Sequence, residues 1–123
     1  PIYCTAGTAD LLEVLLRDSA HLQEEDADRA NRRGYSKHHP ALPLYNADDA
    51  EQALKLIRKR GYGAAFPLDD SIEVIFRRAG HILGSASVDV HFSKPQSVRL
   101  VFSGDLGRPG MPILRDPEIQ EVD

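Results

Sequence analysis

The stretch SIEVIFRRAGHILGSASVDVHFSKPQSVRLVFSGD, residues 71–105, decides the fold. Ile72, Val74 and Phe76 alternate with other residues, as do Ala86, Val88, Val90 and Phe92, and then Val98, Leu100 and Phe102. A period of two places successive side chains on opposite faces of a strand, so the pattern predicts three strands. Ser93-Lys94-Pro95-Gln96 is short enough for a hairpin turn and Gly80 to Gly84 makes a longer one, so the simplest arrangement is an antiparallel meander. In a meander the first and third strands run the same way, which brings the ends of strands 71–78 and 97–103 to one sheet edge. Those ends carry Gly80-His81 and Gly104-Asp105, roughly 9–10 Å apart in backbone terms. An imidazole and a carboxylate converging there are the donor types a zinc site uses. Each dipeptide taken alone is also ordinary turn chemistry.

Working outward toward the N-terminus, Ile2 to Thr5 reads as a short strand and Thr8 as the N-cap of a helix over about 8–33. Leu11, Leu12, Leu15, Leu16 and Leu22 give that helix an apolar stripe, and Gly34 ends it. The charged run from Gln23 to Arg33 reads either as a second, exposed helix or as a kinked continuation. Residues 34–45, with Gly34, Pro40 and Pro43, form a loop. Asn46 caps a helix over about 47–60, whose Ala50, Ala53, Leu54 and Ile57 fall on one face expected to be buried, with Gly61 as the stop. Helices on a β-meander give an α/β arrangement in α+β layers, with the helices covering one sheet face.

At 123 residues and 41% hydrophobic content, the chain has material for a single domain with a modest core. It opens at Pro1 directly on apolar Ile2-Tyr3-Cys4, so residues 1–123 are expected to be one partial domain of a longer protein. Cys4 is the single cysteine, which excludes an internal disulfide, and no stretch approaches the roughly 20 apolar residues of a membrane span. A cytoplasmic location is expected, with no membrane partner. The net charge of −4 exerts no global pull on nucleic acid. The basic residues gathered at Arg29 to Lys37 and Lys55 to Arg60 read first as solvated helix ends favoured by the macrodipole.

Ala79-Gly80-His81-Ile82-Leu83-Gly84-Ser85 followed by Phe102-Ser103-Gly104-Asp105-Leu106-Gly107-Arg108-Pro109-Gly110 resembles the third and fourth metal-ligand motifs of the metallo-β-lactamase fold, as written in its β-CASP RNA-processing branch. Further matches are Tyr3-Cys4-Thr5, Asp18-Ser19-Ala20, Gln23 to Ala27, Asn31-Arg32-Arg33 and Leu114-Arg115-Asp116-Pro117, so the resemblance covers nearly the whole chain. It implies part of an αββα sandwich and a hydrolase of RNA phosphodiester bonds that uses two zinc ions, with manganese as the other candidate metal. In that reading His81 and Asp105 are the catalytic metal ligands, His81 binding one ion and Asp105 bridging both. The upstream His-x-His-x-Asp-His cluster and the downstream β-CASP insertion of the family are not in this chain, so the chain alone is expected to be inactive.

Other candidates carry less. His38-His39 lies in a proline-flanked loop, His21 with Glu25 reads as a helix-surface pair, and His91 shares a polar strand face with Ser87 and Asp89 that solvent or a helix covers. Ser85 and Ser103 adjoin the two ligand motifs and could orient them by hydrogen bonds, a backbone-turn role being the equal alternative. With no metal bound, nothing else is expected to hold the loops 79–85 and 103–110. The partners implied are RNA and, as an open alternative, a second copy of the chain. Two other readings stand beside RNA cleavage: a thioester or lactone hydrolase on the same fold, and an inactive scaffold subunit of an RNA-processing complex.

Overall fold

The structure is a computed structural model and describes residues 1–120. The element order is β1 (Ile2–Cys4), α1 (Ala6–Arg33), α2 (Ala47–Lys55), β2 (Ile57–Lys59), β3 (Ala65–Pro67), β4 (Ile72–Arg78), β5 (Ala86–Phe92) and β6 (Val98–Phe102). Pro1–Ile2 with Asp10–Arg58 form one compact unit, and Tyr3–Ala9 with the described residues from Lys59 onward form another. No helix among the described residues is long and apolar enough to cross a membrane.

The helical unit is built on α1, a single uninterrupted helix of 28 residues. It begins earlier than a cap at Thr8 predicts. Thr5 is the cap, its hydroxyl accepting the Thr8 N–H at 3.2 Å, so Thr8 occupies the third helical position. The leucine stripe is only partly buried: Leu11, Leu12 and Leu16 are half-buried but Leu15 and Leu22 are more than half exposed, whereas Ala20, Ala27 and Ala30 are buried. Small side chains let the following loop lie close along α1. Asn31 exchanges two hydrogen bonds with the Ala41 backbone, and the Tyr45 hydroxyl donates to Ser19. Arg17 forks onto Glu51 of α2 and onto Glu13 one turn earlier.

Asn46 caps α2 as the sequence predicts, in a reciprocal box with Asp49. The helix nevertheless stops at Lys55 rather than near 60. The Leu56 N–H turns back onto the Ala53 and Leu54 carbonyls, and Ile57–Lys59 becomes β2, paired with β1. Leu54 and Ile57 are accordingly half-exposed, and Ile57 does not share a helix face with Leu54.

In the other unit β3, β4, β5 and β6 lie side by side in sequence order, each antiparallel to the next. The meander expected from residues 71–103 is therefore present, with β3 added at one edge. The register pairs Val74 with Val90 and Val90 with Leu100, so the alternating apolar residues share one face. Phe66, Val74 and Phe76 are the buried centre of that face, with Tyr3, Tyr62, Ala86, Val88 and Val90 packed around them. The rings of Tyr3 and Phe66 lie 5.1 Å apart and those of Phe66 and Phe76 5.3 Å apart in an edge-on arrangement.

The opposite face carries a polar cluster with a buried centre and a partly exposed rim. Ser87 is 2% exposed and Asp89 wholly buried. Arg99 grips the Asp89 carboxylate with two bonds of 2.9 Å, His91 Nε2 approaches it at 3.0 Å and Arg77 Nε at 3.6 Å. The chain near residue 118 lies along this face: Arg99 donates to the Gln120 side chain, and the Glu118 N–H donates to the Arg78 carbonyl. The Arg99 guanidinium, with His91 adding to it, holds the Asp89 carboxyl below the usual carboxylate range in spite of its burial.

Candidate metal centre

His81 sits in the connection from β4 to β5 and Asp105 just beyond β6. The meander delivers both to one sheet edge, with His81 Nε2 3.6 Å from Asp105 Oδ2. The His81 side chain is 46% exposed and that of Asp105 86%, so both donors are open to a further partner. Two donors bonded to one tetrahedral ion at roughly 2.0–2.2 Å stand roughly 3.3–3.6 Å apart. The observed pair fits that spacing, and an imidazole with a carboxylate is a suitable donor set. An ion pair of protonated His81 with Asp105 has the same geometry. Among the described residues no cluster of three or more such donors forms. His38 and His39 lie exposed in the loop after α1, and His21 faces Glu25 at 3.4 Å on the α1 surface, as expected.

The loop of His81 is organised by its own backbone. Ser85 Oγ accepts the N–H groups of His81 at 3.0 Å and Ile82 at 3.2 Å, so this hydroxyl fixes the main chain that carries the imidazole. Ser103 acts through its carbonyl, which accepts the Ser87 hydroxyl at 3.0 Å. On the far side of the loop, the Gly84 carbonyl takes hydrogen bonds from the hydroxyls of Thr5 at 2.7 Å and Thr8 at 2.9 Å. Gly84 has φ +83°, and a Cβ there would lie 2.2 Å from the Thr8 nitrogen, so the contact admits only glycine.

The Asp105 loop is fastened onto the His81 loop through Gly107, whose N–H donates to the Ala79 carbonyl at 2.8 Å. A Cβ on Gly107 would stand 1.7 Å from the Gly80 carbonyl oxygen. Further along, the Gly110 N–H donates to Asp116 and Pro117 packs on Gly80. The expectation that only a metal holds these loops is thus corrected: the chain itself ties them together. Thr5, Thr8 and Gly107 escape a reading by residue chemistry because their contribution is a hydroxyl or the lack of a side chain. The trace they leave is the concentration of small residues at Thr5-Ala6-Gly7-Thr8 and Gly104 to Gly110. The Asp89 cluster escapes it for another reason. Ser87, Asp89 and His91 look like a solvent face until the register sets Arg99 opposite His91.

No protein-family model matches the chain. Among characterised proteins it is similar to a ribonuclease of Thermus thermophilus, at 30% identity over 119 residues, which is 97% of this chain and 23% of the relative. An RNase J-like protein of Methanocaldococcus jannaschii is 27% identical over 124 residues, 99% of this chain and 24% of the relative. The transcription termination factor FttA of Pyrococcus abyssi is 31% identical over 91 residues, 74% of this chain and 12% of the relative. The chain spans about a quarter or less of the length of these relatives. With the two strand-end motifs brought together on an antiparallel sheet and similarity to these relatives running along almost the whole chain, this chain carries part of the metallo-β-lactamase fold.

Proposed function

We propose that this chain is part of a larger metallo-β-lactamase-fold protein of the β-CASP type that hydrolyses RNA phosphodiester bonds, and that His81 and Asp105 are two of its metal ligands. The observation that carries the reading is the 3.6 Å approach of His81 Nε2 to Asp105 Oδ2 at the ends of two parallel-running strands. The relatives named ribonuclease and RNase J-like protein supply the substrate class. Zinc, or manganese in its place, would give the site Lewis acidity toward phosphoryl oxygens and a water acidic enough to ionise near neutral pH.

The residues of this chain bind and orient. His81 offers Nε2, and Ser85 Oγ steadies the main chain on which the imidazole turns. Asp105 has two carboxylate oxygens and is 86% exposed, which suits it to bridge two ions, whereas an imidazole nitrogen serves one. A catalytic zinc site takes three protein ligands and a water. The remaining donors belong to other parts of the protein, for which the family's histidine-rich loop is the source. In this reading both compact units are parts of one metallo-β-lactamase domain, acting on RNA in the cytoplasm.

The test is cleavage of single-stranded RNA by the full-length protein with zinc or manganese. Asp105→Ala should abolish cleavage more thoroughly than His81→Ala, because it takes a ligand from both ions. The 123-residue chain should bind zinc weakly and cleave nothing. Tight stoichiometric zinc binding by this chain in calorimetry, or cleavage by the full-length protein that survives Asp105→Ala, would place the active site elsewhere. Hydrolysis of thioesters or lactones without action on RNA would move the substrate class.

A further inference from the structure

Beside the His81 loop lies a pocket of about 250 Å³ whose lining includes Arg60, Arg78 and Arg115 and no acidic residue. In a chain of net charge −4, three arginines lining one small cavity make it locally positive. We propose that this pocket seats one nucleotide of a single-stranded RNA next to the metal centre, its phosphate held by Arg78 and Arg115 and its sugar or base against the apolar wall. The inference rests on the RNA reading above and adds to it the place where the strand is gripped.

Aromatic rings hold two of the arginines in position. The Arg60 guanidinium lies 4.9 Å from the centre of the Tyr3 ring and 5.2 Å from that of Phe66, and Arg78 stands 4.4 Å over Tyr62. Stacking orders a guanidinium without neutralising it, which lowers the entropic cost of binding a phosphate. Glu118 forms a loose ion pair with Arg78 Nε at 3.9 Å, longer than a hydrogen bond, so a phosphate on Arg78 would compete with a partly exposed carboxylate. Arg115 is exposed.

The apolar wall is open in this chain: Ile82 is 56%, Leu83 60% and Ile113 92% exposed. Arginines next to uncovered aliphatic side chains suit a ligand with an anionic end and a flat or weakly polar end, which describes a nucleotide. The pocket is also in register with the candidate metal ligands. The Tyr62 hydroxyl donates to the Ser85 carbonyl at 3.0 Å, and the Ser85 hydroxyl accepts the His81 N–H. A nucleotide held here therefore sits against the same backbone segment that carries His81.

The experiment measures binding by the metal-loaded full-length protein of a short, fluorescent single-stranded RNA with cleavage-resistant linkages, over a range of salt concentrations. Arg115→Glu and Arg78→Gln should each weaken binding about tenfold and flatten the slope of log K against log salt by about 0.7 for each phosphate no longer neutralised. Arg32→Glu, exposed on α1, should leave affinity within about twofold of the parent. Cleavage of natural RNA is followed in parallel. If the protein cleaves RNA while both pocket variants keep the parent's affinity and salt slope, the pocket inference is overturned and the RNA reading stands. If no RNA is cleaved or bound, the RNA reading itself has failed, and the pocket inference with it. Competition by inorganic phosphate alone, with no added strength from an attached nucleoside in AMP, would also overturn it by making the site a free-phosphate site.

Discussion

Gly107→Ala tests whether the two loops of the candidate metal centre are held in place by direct backbone contact. The added Cβ would lie 1.7 Å from the Gly80 oxygen, 2.2 Å from the Gly80 carbonyl carbon and 2.7 Å from the His81 nitrogen. Real Cβ contacts begin at about 3.0 Å, and every one of these neighbours is backbone, so no side chain can swing away to make room. The Asp105 loop must back off the His81 loop by more than about 1 Å, which also stretches the 2.8 Å bond from the Gly107 N–H to the Ala79 carbonyl. Overpacking of this kind costs roughly 1–3 kcal/mol in stability. In the full-length protein a displacement of about 1 Å between ligands should lower kcat on the order of 100-fold. Urea melts of the 123-residue chain read the first quantity, and cleavage of single-stranded RNA under saturating metal reads the second. An effect below about 0.5 kcal/mol, the range of ordinary surface substitutions, together with unchanged turnover would refute the argument that this contact sets the distance between His81 and Asp105.

Replacing Asp89 should destabilise the sheet unit, because Arg99 and Arg77 would converge without their counter-charge. Removing one partner of a buried pair costs about 3–5 kcal/mol. The guanidinium groups here are about one-third exposed, so about 2–3 kcal/mol is expected for Asp89→Ala in urea melts. The folded carboxyl titrates below its unfolded value, so its contribution is complete above the usual carboxylate range near pH 3.9 and disappears as pH falls through the folded value. Asp89→Asn should consequently flatten the acid limb of a stability-versus-pH curve below about pH 4, a limb that an uncoupled Asp89 would leave unchanged. Phe66→Ala removes the centre of the three-residue core and should cost about 3–5 kcal/mol. Ile57→Ala, half-exposed on β2, should cost only about 1 kcal/mol. A larger loss at Ile57 than at Phe66 would mean that the core has been located wrongly.

The sequence by itself determined the meander. Period-two alternation in residues 72–76, 86–92 and 98–102, with a short turn at 93–96, leaves little choice of pairing, because a one-residue slip would turn every apolar side chain to the other face. It determined the convergence of His81 and Asp105 as well, since the ends of alternate strands in a meander must share an edge. Asn46 and Gly34 marked helix boundaries because capping chemistry is local. Period alone fared worse where several elements could follow: Ile57 matched the helical spacing, yet pairing with β1 claimed it for a strand. The leucines of α1 matched an apolar stripe, yet only some of them are half-buried and the fully buried positions are alanines. β3, at three residues, is too short to show a period and exists because β4 offers it an edge. Only the tertiary structure decided that Asp89 is a buried anion held between Arg99 and Arg77, that Gly107 and Gly84 are contact points, and that Arg60, Arg78 and Arg115 meet around one pocket. The physical reason is common to all three: each depends on residues far apart in the chain, whose distances are set by sheet register and loop closure and leave no periodic trace in the sequence.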